Sequence, residues 1–262
     1  MIQPNLVQNF LKYQLTSKSR HAIHSPFVYD LIENVISDNK KFYAFQDVEK
    51  VRTELLSNNN KIFVEDFGTK GREGNYQNER KISSIANAYA IKPKYGRLLF
   101  RLVNYFKPAF MIELGTSLGI STMYQSYGAL NSRFYTLEGC NNSQNIAKNN
   151  FHKAGLKNIS AVCGEFDKTL PQVLSTITQL NYAFIDGNHA KDPTLKYFHL
   201  LMEKSNDNTI LVFDDIHWSQ GMDEAWKTIK NHPKINVTID LFALGIAFLR
   251  SEQAKEHFVI KY

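Results

Sequence analysis

The chain is poor in cysteine. Its 262 residues include two, Cys140 and Cys163, and neither belongs to a C-x-x-C pair, so a reduced, intracellular protein is the expectation. A cationic N-terminal region followed by an apolar run is also missing: MIQPNLVQNFLKYQ does not read as a signal peptide. No apolar stretch approaches the ~18–20 residues of a membrane span, which excludes a spanning helix and points to the cytoplasm. Neither sign of charge dominates. The net charge is +6 with a pI of about 9.1, and the positive residues are dispersed. The densest patch, Lys70, Arg72, Arg80 and Lys81, is interleaved with Glu73 and Glu79 and reads as a solvated loop, so a nucleic-acid partner is disfavoured. Internal repeats and low-complexity segments are absent.

What is present is a chain that can bury a substantial core. Hydrophobic residues make up 43%, and the length suits one large α/β domain with an elaboration. Residues 1–106 read as a mostly helical extension, with apolar residues at helical spacing over 5–14, 27–37 and 46–57. A short strand is expected at 61–66, a polar glycine-bearing loop at 68–79 and a helix around 80–90. YGRLLFRLVNYF, after Pro93, forms a helix leading into the main domain, 107–262. From there strands (109–114, 133–138, 159–163, 181–186, 208–213, 235–241, 244–250) alternate with helices (119–129, 142–154, 167–177, 192–204, 221–231). That alternation predicts an α/β fold: a seven-stranded, Rossmann-like, mostly parallel sheet with helices on both faces. The last two strands are too close for a helical crossover and must form an antiparallel hairpin.

The segment AFMIELGTSLGISTMYQSYGALNSRFYTLE (109–138) carries the strongest chemical signal. It reads as strand, glycine turn, helix and second strand, with Glu138 at its acidic end. The dinucleotide pattern G-x-G-x-x-G fails, because its positions hold Gly115, Ser117 and Ile120. The pattern favours S-adenosylmethionine, which has no pyrophosphate. That ligand needs a tight turn beside its methionyl tail, donors for the tail carboxylate and an acid for the ribose hydroxyls. Gly115 and Gly119 permit the turn, and a branched side chain at Gly119 is expected to intrude on the tail or clash in the turn. Ser121 and the helix N-terminus can hold the carboxylate. Glu138 is placed for the ribose.

A second constellation lies in FIDGNHAKDP and LVFDDIHW. Strands of an open parallel sheet present their carboxyl ends to ligands, so Asp186, Asp214 and Asp215, with His189 and His217, are expected around one cleft. Three clustered carboxylates repel unless protons or a cation compensate, and a hard, oxygen-liganded ion such as Mg²⁺ is the natural occupant. Aspartates there also suit a cationic cofactor, which adds Asp186 to the cofactor-binding set. His189 and His217 are rival candidates for the base, and Trp218 and Tyr95 for walls of an acceptor pocket.

Five βα units ending in a hairpin, with ELGTSLGIST as the cofactor turn, resemble the class I S-adenosylmethionine-dependent methyltransferases over roughly 94–250. The branch most similar is that of catechol and caffeoyl-CoA O-methyltransferases and their bacterial relatives. The resemblance implies that Glu113, Gly115, Gly119 and Ser121 line the methionyl end and that Glu138 binds ribose. It also implies that Gly164 and Glu165 contact adenine and that Asp186, Asp214 and Asp215 ligate a metal. Two departures stand out. His189 takes the place of the catechol-type lysine base, and Asp-Asp replaces Asp-Asn in the second metal motif. The implied activity is O-methylation of a small-molecule acceptor, with self-association left open. A nucleic-acid or protein methyltransferase is the alternative, although D-P-P-Y, N-P-P-Y and Pro-Cys motifs are missing. A cofactor-binding protein without catalysis is a further one.

Overall fold

The computed structural model describes residues 4–65 and 77–262. In chain order its elements are α1 (Pro4–Thr16), α2 (Pro26–Leu31), α3 (Tyr43–Ser57), β1 (Lys61–Glu65), β2 (Gln77–Lys81), α4 (Ile82–Tyr89) and α5 (Pro93–Phe106). They continue through β3 (Phe110–Leu114), α6 (Ile120–Gly128), β4 (Arg133–Glu138), α7 (Asn141–Lys153), β5 (Ile159–Cys163) and α8 (Phe166–Ser175). The rest comprises β6 (Leu180–Ile185), α9 (Lys191–Met202), β7 (Ser205–Asp214), α10 (Gln220–Asn231), β8 (Val237–Asp240), β9 (Leu244–Phe248) and β10 (Glu256–Val259). The main sheet has eight strands in the order β10-β8-β9-β7-β6-β3-β4-β5. The chain divides into two compact units, Asn39–Val173 and Met1–Asp38 with Leu174–Tyr262.

In the first unit, β3, β4 and β5 pair in parallel, with Glu113 opposite Thr136 and Glu138 opposite Cys163. Met111, Ile112 and Leu114 are fully buried, as a strand covered on both faces requires. Helix α5 starts with Pro93 at its first position and stops at Lys107, whose φ of 47° breaks the helix just before Pro108. The expected strand at 61–66 exists over Lys61–Glu65 and pairs antiparallel with β2. The expected loop at 68–79 lies largely outside the described residues, as do Lys70 and Arg72. Arg80 and Lys81 fall in β2, and Arg80 donates to the Tyr89 hydroxyl at 2.6 Å.

In the second unit, β6 and β7 are parallel, and β9 pairs antiparallel with both β7 and β8. The expected hairpin is therefore present, but the sheet is one strand larger than the seven expected. The chain returns after β9, and β10 adds in parallel outside β8, pairing Glu256 with Val237 through Val259 with Asp240. This strand covers an edge that would otherwise expose unpaired backbone. Tyr13 of α1 ties it down: its hydroxyl donates to the Ile260 carbonyl at 2.6 Å and accepts from the Tyr262 amide at 2.9 Å. The expected helix at 27–37 is α2 followed by a π-helical turn over Ile32–Ile36. Among the described residues, no helix is long and apolar enough to cross a membrane.

Candidate functional site

Strand β3 delivers Glu113 into the interior of the first unit, where it is fully buried. Four side-chain donors surround its carboxylate: Ser121 at 2.7 Å, Thr122 at 2.5 Å, Gln125 at 2.8 Å and Thr136 at 2.6 Å. Burial pushes the carboxyl above its ordinary range, and these donors work against that rise. Thr136 has one hydroxyl proton. It goes to Glu113, so Thr116, 2.6 Å from Thr136, is the donor of that pair. The arrangement binds β3, α6 and β4 together from inside. It also changes the expected role of Ser121, whose single proton is given to Glu113 and so cannot be donated to a ligand carboxylate. Thr122, Gln125 and Thr136 are absent from the sequence-derived site. The signal that could have found them is the acid itself, since a carboxylate inside a buried strand demands donors from the helix that follows.

The turn between β3 and α6 holds Gly115 at φ 105°, Ser117 at φ 47° and Gly119 at φ 87°. Gly119 is needed for packing. A Cβ there would lie 2.6 Å from Phe151 Cε1 and 3.1 Å from Ala147 Cβ, both on α7. A side chain at this position would therefore strike α7, a partner beyond the turn and the ligand's tail that the sequence suggests.

Glu138, at the end of β4, is held by two backbone amides. Ser117 N–H donates to Oε2 at 2.8 Å and Cys140 N–H to Oε1 at 2.9 Å. The two amides hold the carboxylate in a fixed orientation, each on a different oxygen. Ser117, missed in the sequence, thus contributes through its amide. Gly164 follows β5 at φ 137° and donates to the Glu138 carbonyl at 2.9 Å. The Glu165 carbonyl receives the Lys168 and Thr169 amides at 3.0 Å each, opening α8. Its side chain pairs with Lys168 at 2.9 Å on the surface. Tyr95 sits in the first turn of α5, with Lys94 Nζ 5.7 Å from its ring.

The second unit gathers Asp186, His189, Asp214 and Asp215 at the carboxyl ends of β6 and β7. His189 Nε2 is 3.5 Å from Asp186 Oδ1, and its Nδ1 is 4.0 Å from Asp215 Oδ2. Enclosure of the Asp214 carboxyl raises its pKa well above the usual range; the Asp186 and Asp215 charges and a hydrogen bond with Asp186 add to this, while His189 opposes it. Asn188 and Asp215 both take left-handed backbone, at φ 54° and 53°, a region that asparagine and aspartate enter more readily than other non-glycine residues.

The expected metal ligands are thus neighbours, yet among the described residues no group of three or more histidine, cysteine, aspartate or glutamate side chains is arranged to hold a metal ion.

His217 differs from His189. Its Nδ1 lies 2.5 Å from Asp223 Oδ1 and its Nε2 2.8 Å from Asp240 Oδ2, and its ring stacks on Phe242. Asn9 of α1 donates to the other Asp223 oxygen at 2.6 Å. Both ring nitrogens are engaged, which makes His217 a brace joining the loop after β7 to α10 and β8 and leaves no nitrogen for an acceptor's proton. Trp218 is exposed, and its amide closes a turn onto the Asp215 carbonyl at 2.9 Å.

Comparison with known proteins gives a consistent set. The family model described as a methyltransferase domain matches residues 112–216. A catechol O-methyltransferase of Niastella koreensis is 28% identical over 132 residues, covering 49% of this chain and 59% of that enzyme, so the chain spans less than two thirds of this relative. The O-methyltransferase from Bacillus cereus, solved with S-adenosylhomocysteine, superposes with a TM-score of 0.57 at 18% identity, over 84% of this chain and 96% of the other. The O-methyltransferase TomG from Streptomyces achromogenes, solved with S-adenosylmethionine, gives 0.56 at 15% identity, over 85% and 94%. At these identities the two structures speak for the fold alone.

Proposed function

We propose that this chain, a member of the class I S-adenosylmethionine-dependent methyltransferases over residues 112–216, transfers a methyl group to an oxygen of a small-molecule acceptor. The observation that carries the reading is the Glu138 carboxylate, fixed by the Ser117 and Cys140 amides. It is built to receive two adjacent hydroxyls, as a ribose presents them. Its setting at the end of the second strand, beside a glycine turn that fails the dinucleotide pattern, supports S-adenosylmethionine over NAD.

The cofactor supplies an electrophilic methyl group on a sulfonium. Glu138 accepts from the ribose hydroxyls. Amides of the turn and the first turn of α6 take the tail carboxylate, a role for which backbone N–H groups at a helix start are suited. Gly164 and Glu165, following β5, border the adenine. His189, in the second unit, is the candidate to take the acceptor's hydroxyl proton; the cofactor would supply the methyl group, its sulfur keeping the electrons of the broken bond. Because Asp186, Asp214 and Asp215 do not present a three-ligand set, no step is assigned to Mg²⁺. Two free cysteines accord with a cytoplasmic setting.

The test is calorimetric titration with S-adenosylhomocysteine and with NAD, followed by an acceptor screen using methyl-labelled cofactor. Binding of the first ligand and label transfer to a small hydroxylated compound support the reading. Label appearing only in nucleic acid or protein would replace it with the alternative. Binding without transfer to any acceptor class would leave a cofactor-binding protein.

A further inference from the structure

We propose that Gln144 is a positioning residue for the cofactor site, keeping a carboxamide behind the glycine turn for the turn's backbone to meet when S-adenosylmethionine is bound. The proposal rests on the methyltransferase reading above and uses residues of the first unit only.

Gln144 is fully buried, and neither its Oε1 nor its Nε2 has a hydrogen-bond partner. Among the described residues no other side chain has both a donor and an acceptor enclosed and unpaired. Gln125 is equally buried, but its Nε2 is committed to Glu113 at 2.8 Å and to the Ser121 carbonyl at 3.1 Å. An amide cut off from water without a partner is costly, and an apolar side chain of similar shape would fill the space without that cost. Packing alone therefore does not account for a glutamine here.

Its position shows what the amide serves. Cys140, Gln144, Ala147 and Phe151 follow one another at i, i+4, i+7 and i+11 and share one face of α7. Both ends of that face lie against the cofactor elements. The Cys140 N–H holds Glu138 Oε1 at 2.9 Å. A Cβ on Gly119 would meet Phe151 at 2.6 Å and Ala147 at 3.1 Å. Beside them Asn150 Nδ2 donates to the Leu118 carbonyl at 3.0 Å. Gln144 stands between these contacts, behind the turn that runs from Gly115 to Gly119. Enclosed as it is, it acts through that turn and not by touching the ligand.

The turn engages the ligand on its open side, through amides that take the tail carboxylate. Loading those amides presses the turn's backbone towards α7, where Gln144 offers one donor and one acceptor. The cost of the enclosed amide is then relieved in the bound form. Stability of the free protein and affinity for the cofactor are thereby set against each other at this residue.

Gln144→Met tests this on the full chain, with urea denaturation in the absence of ligand and calorimetric titration of S-adenosylhomocysteine. The urea midpoint is expected to rise by about 0.5 M or more, and S-adenosylhomocysteine to bind about tenfold more weakly than to the wild type. A residue that only packs would not move the two in opposite directions. Gln144→Leu repeats both measurements with a different shape, so that a misfit of one side chain is not mistaken for the amide's role. A midpoint that falls in both variants would show that the amide is already satisfied, by a buried water for example, and would overturn the proposal. Unchanged affinity in both would overturn it as well. No binding to the wild type would count against the methyltransferase reading and this role together, whereas equal binding to wild type and variants counts against this proposal alone.

Discussion

The Ser117 amide donates to Glu138 Oε2 at 2.8 Å, across a sequence gap that spans a helix and a strand. This bond fixes the orientation of the acid by the same turn that shapes the tail end of the candidate cofactor site. Ser117 reaches it through left-handed backbone, at φ 47°. The conformation is uncommon outside glycine, and it points the amide at the carboxylate. Glu138 is therefore preorganised, and ligand binding need not spend free energy on orienting it.

Ser121→Ala separates a role in the fold from a role in binding. Its hydroxyl donates to the buried Glu113, so its loss should cost ~1–3 kcal/mol of stability. Affinity for S-adenosylhomocysteine should change little. Urea denaturation and calorimetry on the same sample read both. A large loss of affinity with unchanged stability would return Ser121 to the ligand's carboxylate.

Gly119→Ala should be destabilising, because its Cβ would lie 2.6 Å from Phe151 Cε1 in a backbone with φ 87°. A loss of ~2–4 kcal/mol combines steric overlap with the left-handed conformation. Adding Phe151→Leu should recover part of it. Thermal unfolding of the double-mutant cycle checks the coupling, and strictly additive losses would mean that the clash is not with Phe151.

The His217 brace gives a pH dependence. Burial alone would lower its pKa, but hydrogen bonds and charges from Asp240 and Asp223 outweigh it and raise the imidazole above its ordinary value of 6.5. A raised folded-state value means that the brace is fully present below the unfolded pKa and is lost as pH climbs through the folded one. His217→Gln should therefore cost ~1–3 kcal/mol at about pH 6, with the gap narrowing towards about pH 9. Denaturant midpoints that diverge further at high pH would reverse the sign.

His189→Ala should lower kcat by ~10²–10⁴ once an acceptor is known, with affinity for S-adenosylhomocysteine nearly intact. Steady-state kinetics beside His217→Gln discriminates the two histidines. A slower His217 variant with a normal His189 variant would exchange their roles.

Much of this architecture is legible in the chain. The strands from β3 to β9 are apolar runs bounded by turn residues, so the alternation with helices stands out, and the glycine turn with Glu138 follows from spacing. What escapes has a physical reason. Strand β2 is Gln-Asn-Glu-Arg-Lys and β10 is Glu-His-Phe-Val. Edge strands this short and polar carry little periodicity, and pairing with a neighbour makes them strands. The donors around Glu113 come from α6 and from β4, and Asp240 meets His217 from 23 residues away. Such partners are chosen by the fold. The same holds for His189: its position three residues after Asp186 shows one neighbour, but its approach to Asp215 at 4.0 Å is visible only in three dimensions.

The most direct measurement is calorimetric titration of S-adenosylhomocysteine into the wild-type protein and Glu138→Ala. The account predicts one site per chain in the wild type, weakened in the variant by ~1–3 kcal/mol, the scale of charge-assisted hydrogen bonds, with the variant still folded by circular dichroism. Equal affinity in the two proteins, or no binding to the wild type, would contradict it.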